Sequence, residues 1–324
     1  MTRLDAAQWS AYWQSGATTT FQDSFSGNYD REVGQFWQGV FRTLPTGSRM
    51  VDLACGNGAL ALLAADFRRA TNSHFDIDAV DFAQIQLPSD SEARALAKDV
   101  HFYSGRRLED SGLESSAYQL AVSQFGIEYG QRETTISELS RILADADAQL
   151  AMICHREDSA IVQQGKDGLQ QQKLCAASPL PDLVRRLQKR MDQLQREGRD
   201  PAKDRACERL RERFNRSMAE LHTAAEQREN PDHLLYFIRG CLAAFDANNM
   251  QRLSLPQRLT MVDRLEGSCA AFAARMRDLV SAALSEQELQ AWLADLTAHG
   301  FQIRSNAPFT LENRLFGQQV ICAR

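Results

Sequence analysis

Hydrophobic and polar positions change their spacing several times along these 324 residues, and each change marks a new kind of element. The first ~45 residues are dense in aromatic side chains: Trp9, Tyr12, Trp13, Phe21, Phe25, Tyr29, Phe36, Trp37 and Phe41. From Tyr29 onward, Val33, Phe36, Trp37, Val40 and Phe41 recur three and four apart, which predicts an amphipathic helix ending near Leu44-Pro45-Thr46-Gly47. Such a stripe either packs on a sheet or forms a lid that also touches ligand.

From Arg49 to His155, short apolar runs alternate with helical patterns, as in βαβ units that build a parallel sheet. Strands are expected at Met50-Leu53, Phe75-Asp81, Val100-Tyr103, Gln119-Ser123 and Gln149-Cys154. Helices are expected over Gly58-Arg69, Phe82-Leu96 with a break at Pro88, and Thr134-Leu143. Past His155 glycine becomes sparse and long charged helical patterns replace the strands. Leu183, Leu187, Met191 and Leu194 form one stripe, and Cys207, Leu210, Phe214, Met218 and Leu221 form another. Between them Glu197-Gly198-Arg199-Asp200-Pro201 has turn chemistry, so a helical hairpin is expected. Two more helices follow, around His233-Phe245 and from Pro256 on, where Ser254 can cap. The end of the chain regains α/β character: a helix over Glu286-Ala298, then strands at Phe301-Ser305 and Leu315-Cys322 that suit a terminal hairpin.

Composition narrows the class. A 44% hydrophobic and 24% charged chain is ordinary for a globular protein, and no apolar run approaches the ~18 residues of a membrane span. Met1-Thr2-Arg3-Leu4-Asp5 opens no signal-like apolar stretch, so a cytoplasmic location is the expectation. Seven cysteines stand singly, without a C-x-x-C pair, and read as small buried residues; no metal site is expected. The formal charge of −5 disfavours a nucleic-acid-binding surface overall, yet Pro181 to Ser217 carries 12 Lys/Arg against 7 Asp/Glu. A basic hairpin of this kind is either a solvated helix pair laced with intrahelical charge pairs or a surface for an anionic partner.

The chemistry gathers at Asp52 to Ala61, which follows a predicted strand and opens a predicted helix. Gly56 and Gly58 allow backbone to approach a ligand with no Cβ between. As a bare pattern, Gly56-x-Gly58-x-x-Ala61 with Asp76 about twenty residues on also fits a dinucleotide site. Asp52 speaks against that, since a carboxylate four residues before Gly56 repels a pyrophosphate and attracts a cationic ligand. Asp81, at the end of the second strand, is better placed than Asp76 to accept hydrogen bonds from ribose hydroxyls.

Val51-Asp52-Leu53-Ala54-Cys55-Gly56-Asn57-Gly58-Ala59, then Ala79-Val80-Asp81-Phe82, then Tyr118-Gln119-Leu120-Ala121-Val122-Ser123-Gln124-Phe125-Gly126 resemble, in order, the motifs of class I S-adenosylmethionine (SAM)-dependent methyltransferases. The resemblance spans about residues 30–155 and 285–324. It implies an α/β fold: a doubly wound, mostly parallel seven-stranded sheet with an antiparallel C-terminal hairpin, here carrying a large all-helical insertion. The implied organisation is an aromatic N-terminal segment or lid at 1–48, a SAM-binding core at 49–156, the helical insertion at 157–284 and completion of the core at 285–324. By resemblance Asp52, Ala54, Gly56 and Gly58 hold the methionine part of the cofactor, Asp81 the ribose, Phe82 the adenine face, and Gln124 lies beside the methionine portion. Ala54 stands where the family has glycine. Ser104-Gly105-Arg106-Arg107 lacks the acid often found after the third strand.

Methyl transfer from a sulfonium is an in-line displacement, so alignment and exclusion of water can supply much of the catalysis. If a base is used, His155 at the end of the fifth strand is the first candidate, followed by Glu128 and Tyr129. The ordinary alternatives are a hydrogen-bonded strand-end histidine and a solvated or capping glutamate. Ser123-Gln124-Phe125-Gly126 is not the Asn/Asp-Pro-Pro-aromatic sequence associated with amino methylation of bases. A small or medium-sized organic acceptor is therefore expected, with the insertion as a cap or a homo-oligomerisation element. RNA methylation through the basic hairpin and a SAM-binding scaffold are the alternatives.

Overall fold

Alternating side chains along the strands face two different helical layers, which is why the strands read as nearly continuous apolar runs. The structure, a computed structural model, describes residues 4–14, 16, 18–19, 28–87 and 90–324. Phe21, Phe25 and Pro88, singled out above, lie outside them. The chain divides into two units, residues 1–163 with 278–324 and residues 164–277.

The first unit opens with helices α1 (Ala6–Trp13) and α2 (Arg31–Phe41). Alternating strands and helices follow: β1 (Ser48–Leu53), α3 (Ala59–Thr71), β2 (Phe75–Asp81), α4 (Ser91–Ala97), β3 (His101–Ser104), β4 (Leu120–Gln124), α5 (Arg132–Ile142) and β5 (Gln149–Cys154). The strands stand in the order β3-β2-β1-β4-β5 and are parallel, and the sheet closes with β7 (Arg314–Ala323), antiparallel to β5, and β6 (Gln302–Leu311) at the edge. This is the doubly wound seven-stranded sheet with an antiparallel terminal hairpin that the motif order implies. Met50, Ile77, Leu120 and Ile153 face α2 and α3 on one side. Val51, Val80, Ala121 and Met152 face α5 and the late helix Glu286–Ala298 on the other.

Two segments differ from expectation. No helix starts at Phe82; α4 begins at Ser91, capped by Asp90. The N–H groups of Ala83, Gln84, Ile85 and Gln86 are instead taken in turn by the side chains of Asp81, Ser10, Ser104 and Asn57. Side chains brought from four places thus satisfy a backbone whose local pattern suits a helix. The C-terminal strands are also longer than expected. β6 passes through Asn306 and Pro308, tolerable because an edge strand leaves one side of its backbone unpaired. Glu312 and Asn313, both left-handed (φ 51° and 61°), close the two-residue turn.

The second unit is helical and has its own core. Helices α6 (Ala160–Ala177), α7 (Leu180–Arg196), α8 (Arg205–Glu226), α9 (Asp232–Ala243), α10 (Ala247–Arg252) and α11 (Leu255–Ala282) precede α12 (Glu286–Ala298) of the first unit. Leu183, Val184 and Leu187 of α7 cluster with Phe214, Met218 and Leu221 of α8 and with Leu234, Phe237 and Val262. Asp204 caps α8 at the Ala206 and Cys207 N–H groups and also binds Arg190 at 2.6 Å. In the basic segment Arg185, Arg186, Arg190, Arg196 and Arg199 each meet a carboxylate. All seven cysteines are free and buried, as their scattered spacing suggests. Among the described residues no helix is long and apolar enough to cross a membrane.

Candidate functional site

β1 and β4 are neighbours, but β1 feeds α3 in one layer and β4 feeds α5 in the other, so a crevice opens at their carboxyl ends. Both strand exits are backbone outliers: Ala54 and Phe125 are left-handed, each with φ 56°. For side-chain-bearing residues that conformation costs about 1–2 kcal/mol each, and such cost concentrates at functional sites. The two exits also touch, since a Cβ added at Gly126 would lie 2.4 Å from the Ala54 Cβ.

The glycine turn is held from beneath and crossed from above. Gly56 and Gly58 have φ 58° and 88°, and Gly58 is the residue from which α3 starts. A Cβ at Gly56 would meet the Trp13 indole at 2.5 Å, and one at Gly58 the Phe102 ring at 2.7 Å. Asp81 Oδ2 accepts the Gly56 N–H and Oδ1 the Ala83 N–H, both at 2.7 Å. Burial raises the Asp81 pKa despite these bonds. Asp52, almost wholly buried, accepts the Ala61 N–H at 3.0 Å. Burial pushes its carboxyl well above the usual range, and the charge of Asp81 adds to this. Asn57 ties the turn outward, donating to the Trp13 carbonyl and accepting from Gln86 N–H.

Helix α1 therefore spans several strand exits. Trp13 covers the turn after β1, Ser10 accepts the Gln84 N–H after β2, and Trp9 meets Tyr129 after β4 edge-on at 5.8 Å. Gln124, at the end of β4, accepts from Trp37 Nε1 and also hydrogen-bonds the buried Tyr29 phenol. Burial and the nearby Asp52 charge push that phenol upward.

His155 is buried and stacked on Phe125, 4.2 Å between centroids and 10° between planes. Burial lowers its pKa to about 3. Glu128 is buried rather than solvated, and its carboxylate accepts the His155 backbone N–H at 2.7 Å. Tyr129 is half-buried beside the His155 ring. Phe82 is half-buried under the Arg107 guanidinium at 5.1 Å. Arg106 points elsewhere, over the Tyr103 ring and toward the Ser111 carbonyl.

Asp52, Ala54, Gly56, Gly58, Asp81 and Gln124 thus gather about the switch point, while His155, Glu128 and Tyr129 form a second group past β4 and β5. Trp9, Ser10, Trp13, Tyr29 and Asn57 join the site without having been singled out for it. Aromatic density near the N-terminus was the available signal for three of them; Asn57 stands inside the glycine motif with no role assigned to it, and Ser10 gave no signal. A buried carboxylate with one backbone donor and a like charge nearby favours a cationic group, so the residues fit an ammonium- and sulfonium-bearing cofactor.

No protein-family description matches the chain, and no curated protein does. Several solved structures are similar to it. Geranyl diphosphate C-methyltransferase from Streptomyces coelicolor A3(2), solved with S-adenosyl-L-homocysteine, is 14% identical over 47% of this chain and 65% of its own (TM-score 0.33). Haemonchus contortus phosphoethanolamine N-methyltransferase 1, also with S-adenosylhomocysteine, is 15% identical over 47% and 32% (TM-score 0.34). The Bacillus YcgJ protein is 16% identical over 43% and 58% (TM-score 0.30). This chain spans less than two thirds of each of them. The fold assignment rests on the strand order itself.

Proposed function

We propose that the chain is a class I methyltransferase that binds SAM at the switch point and methylates a small or medium-sized organic acceptor. The observation that carries this reading is the pair of buried carboxylates, Asp52 and Asp81, one on each side of a glycine turn at the crevice. Two such acids disfavour the pyrophosphate of a dinucleotide and suit a sulfonium ligand, whose positive charge favours the ionised form that burial opposes. When bound, SAM supplies an activated methyl group. Asp52 would hold the ammonium of its methionine part, and the remaining lone pairs of Asp81 would take the ribose hydroxyls. Phe82 would flank the adenine, and Gln124, braced by Trp37, would lie beside the methionine portion.

Catalysis on this reading comes from alignment more than from proton transfer. With a pKa of about 3, His155 is neutral at pH 7 and a weak proton acceptor there. Half-buried Tyr129 orients the acceptor with the buried His155 ring beside it, and Glu128 fixes the exit of β5 through the His155 N–H.

Isothermal titration with S-adenosylhomocysteine tests the cofactor. Micromolar-range binding is expected, weakened about 30-fold or more in Asp81→Ala through loss of two charge-assisted hydrogen bonds. Heat with NADH and none with S-adenosylhomocysteine would sink the reading.

A further inference from the structure

Within the basic segment the two helices differ in what their arginines meet. On α7, Arg185 binds Asp263, Arg190 binds Asp204 and Arg196 binds Asp192. On α8, Arg205, Arg209, Arg213 and Arg216 are exposed and make no ion pair among the described residues. Glu208 and Glu212, the acids of the same stretch, pair with none of them. The four arginines follow one another at four, four and three residues, so they share one face of α8 within about 80° of arc. Phe214, Met218 and Leu221 hold the other side of the helix in the apolar core.

This stripe opposes the helix that carries it. Arg205 and Arg209, and again Arg209 and Arg213, are like charges four residues apart, which repel along a helix. A bound polyanion relieves that repulsion, and guanidinium forks match phosphate oxygens in pairs. The stripe runs about 16 Å along the helix axis, a length over which a nucleic-acid duplex presents on the order of ten phosphates. The other exposed residues between Arg205 and Arg216 are Glu208, Arg211, Glu212 and Asn215. That face has no apolar centre, whereas a protein interface is built around an apolar and aromatic core depleted of charge. It also has no aromatic ring, whereas single strands are held by stacking of their bases. The formal charge of −5 is spread over the whole chain, and at physiological ionic strength charges further off than about 8 Å are largely screened.

We propose that the outward face of α8 is a docking surface for a nucleic-acid duplex, held through its phosphate backbone by Arg205, Arg209, Arg213 and Arg216. Contacts of this kind position a partner without reading its sequence. The surface belongs to the helical unit and stands independently of the methyltransferase reading.

The probes are a labelled RNA duplex and a labelled DNA duplex of one arbitrary sequence, each of about 20 base pairs, titrated with the full chain by fluorescence anisotropy at several salt concentrations. With one phosphate neutralised per arginine, log K is expected to fall with log salt at a slope of about −3.6, a loss of about 100-fold between roughly 50 and 200 mM. Arg209→Ala together with Arg213→Ala is expected to bring the slope to about −1.8 and the loss to about tenfold. Arg196→Ala removes the same kind of charge from a paired position on α7 and is expected to leave affinity within about twofold. Circular dichroism confirms that each variant keeps its helices, since every substituted side chain is exposed. The ratio of RNA to DNA affinity names the preferred backbone, and binding of either supports the surface. No binding at about 50 mM salt, a slope indifferent to the double substitution, or an equal loss in Arg196→Ala would overturn the proposal. So would equal affinity for polyglutamate, which would point to an acidic protein partner instead.

Discussion

His155 shows how burial changes what a residue can do. At a strand exit it has the position of a general base, yet burial holds its folded pKa at about 3, against ~6.5 for a free imidazole. As pH falls below ~6.5 the unfolded chain takes up this proton first. Stability associated with the neutral ring is therefore complete above that pH and is lost toward pH 3, by up to ~1.4 kcal/mol per pH unit. Asp52 and Asp81 act with the opposite sign, because their raised values favour the folded state as pH falls. His155→Phe removes the first effect and leaves the second. Its urea midpoint is expected to fall less steeply than that of the parent between pH 6.5 and 4; parallel profiles would show that the ring is not held neutral.

Among the elements, α12 and the segment after β2 make opposite cases. Ser285 and Glu288 cap α12 reciprocally, Ser285 accepting the Glu288 N–H and Glu288 the Ser285 N–H. The bounds expected from the sequence, Glu286-Ala298, are those of the helix to the residue. Ser285→Ala is expected to cost about 1 kcal/mol. Equilibrium denaturation checks it, with cofactor affinity unaltered because the cap is exposed and α12 faces the sheet through Leu289, Trp292 and Leu296. After β2 the local pattern is helical, but Asp81, Ser10, Ser104 and Asn57 occupy the N–H groups. Nothing local announces this, because three of those four side chains come from distant sequence.

At the scale of the whole molecule, the helical insertion is a unit with its own apolar core rather than an enlarged loop. A segment of residues 164–277 made alone is expected to show a helical circular-dichroism spectrum and a cooperative thermal transition. A non-cooperative melt would mean that its helices depend on the rest of the chain. Five arginines of its basic segment meet carboxylates, and two of these pairs, Arg186 with Asp182 and Arg196 with Asp192, lie four residues apart on α7.

Periodicity and turn residues were enough to determine the sheet's five parallel strands, the terminal pair, the helical insertion and the glycine turn with its flanking acids. These are local signals: a strand buried on both faces must be apolar, and a turn with positive φ favours glycine. Tertiary structure alone decided that α1 crosses the strand exits, that Asp81 braces the Gly56 turn, and that His155 is a buried neutral ring. Each of these depends on groups far apart in sequence coming within hydrogen-bonding or van der Waals distance, or on water being excluded, and no spacing along the chain encodes the burial that sets a pKa.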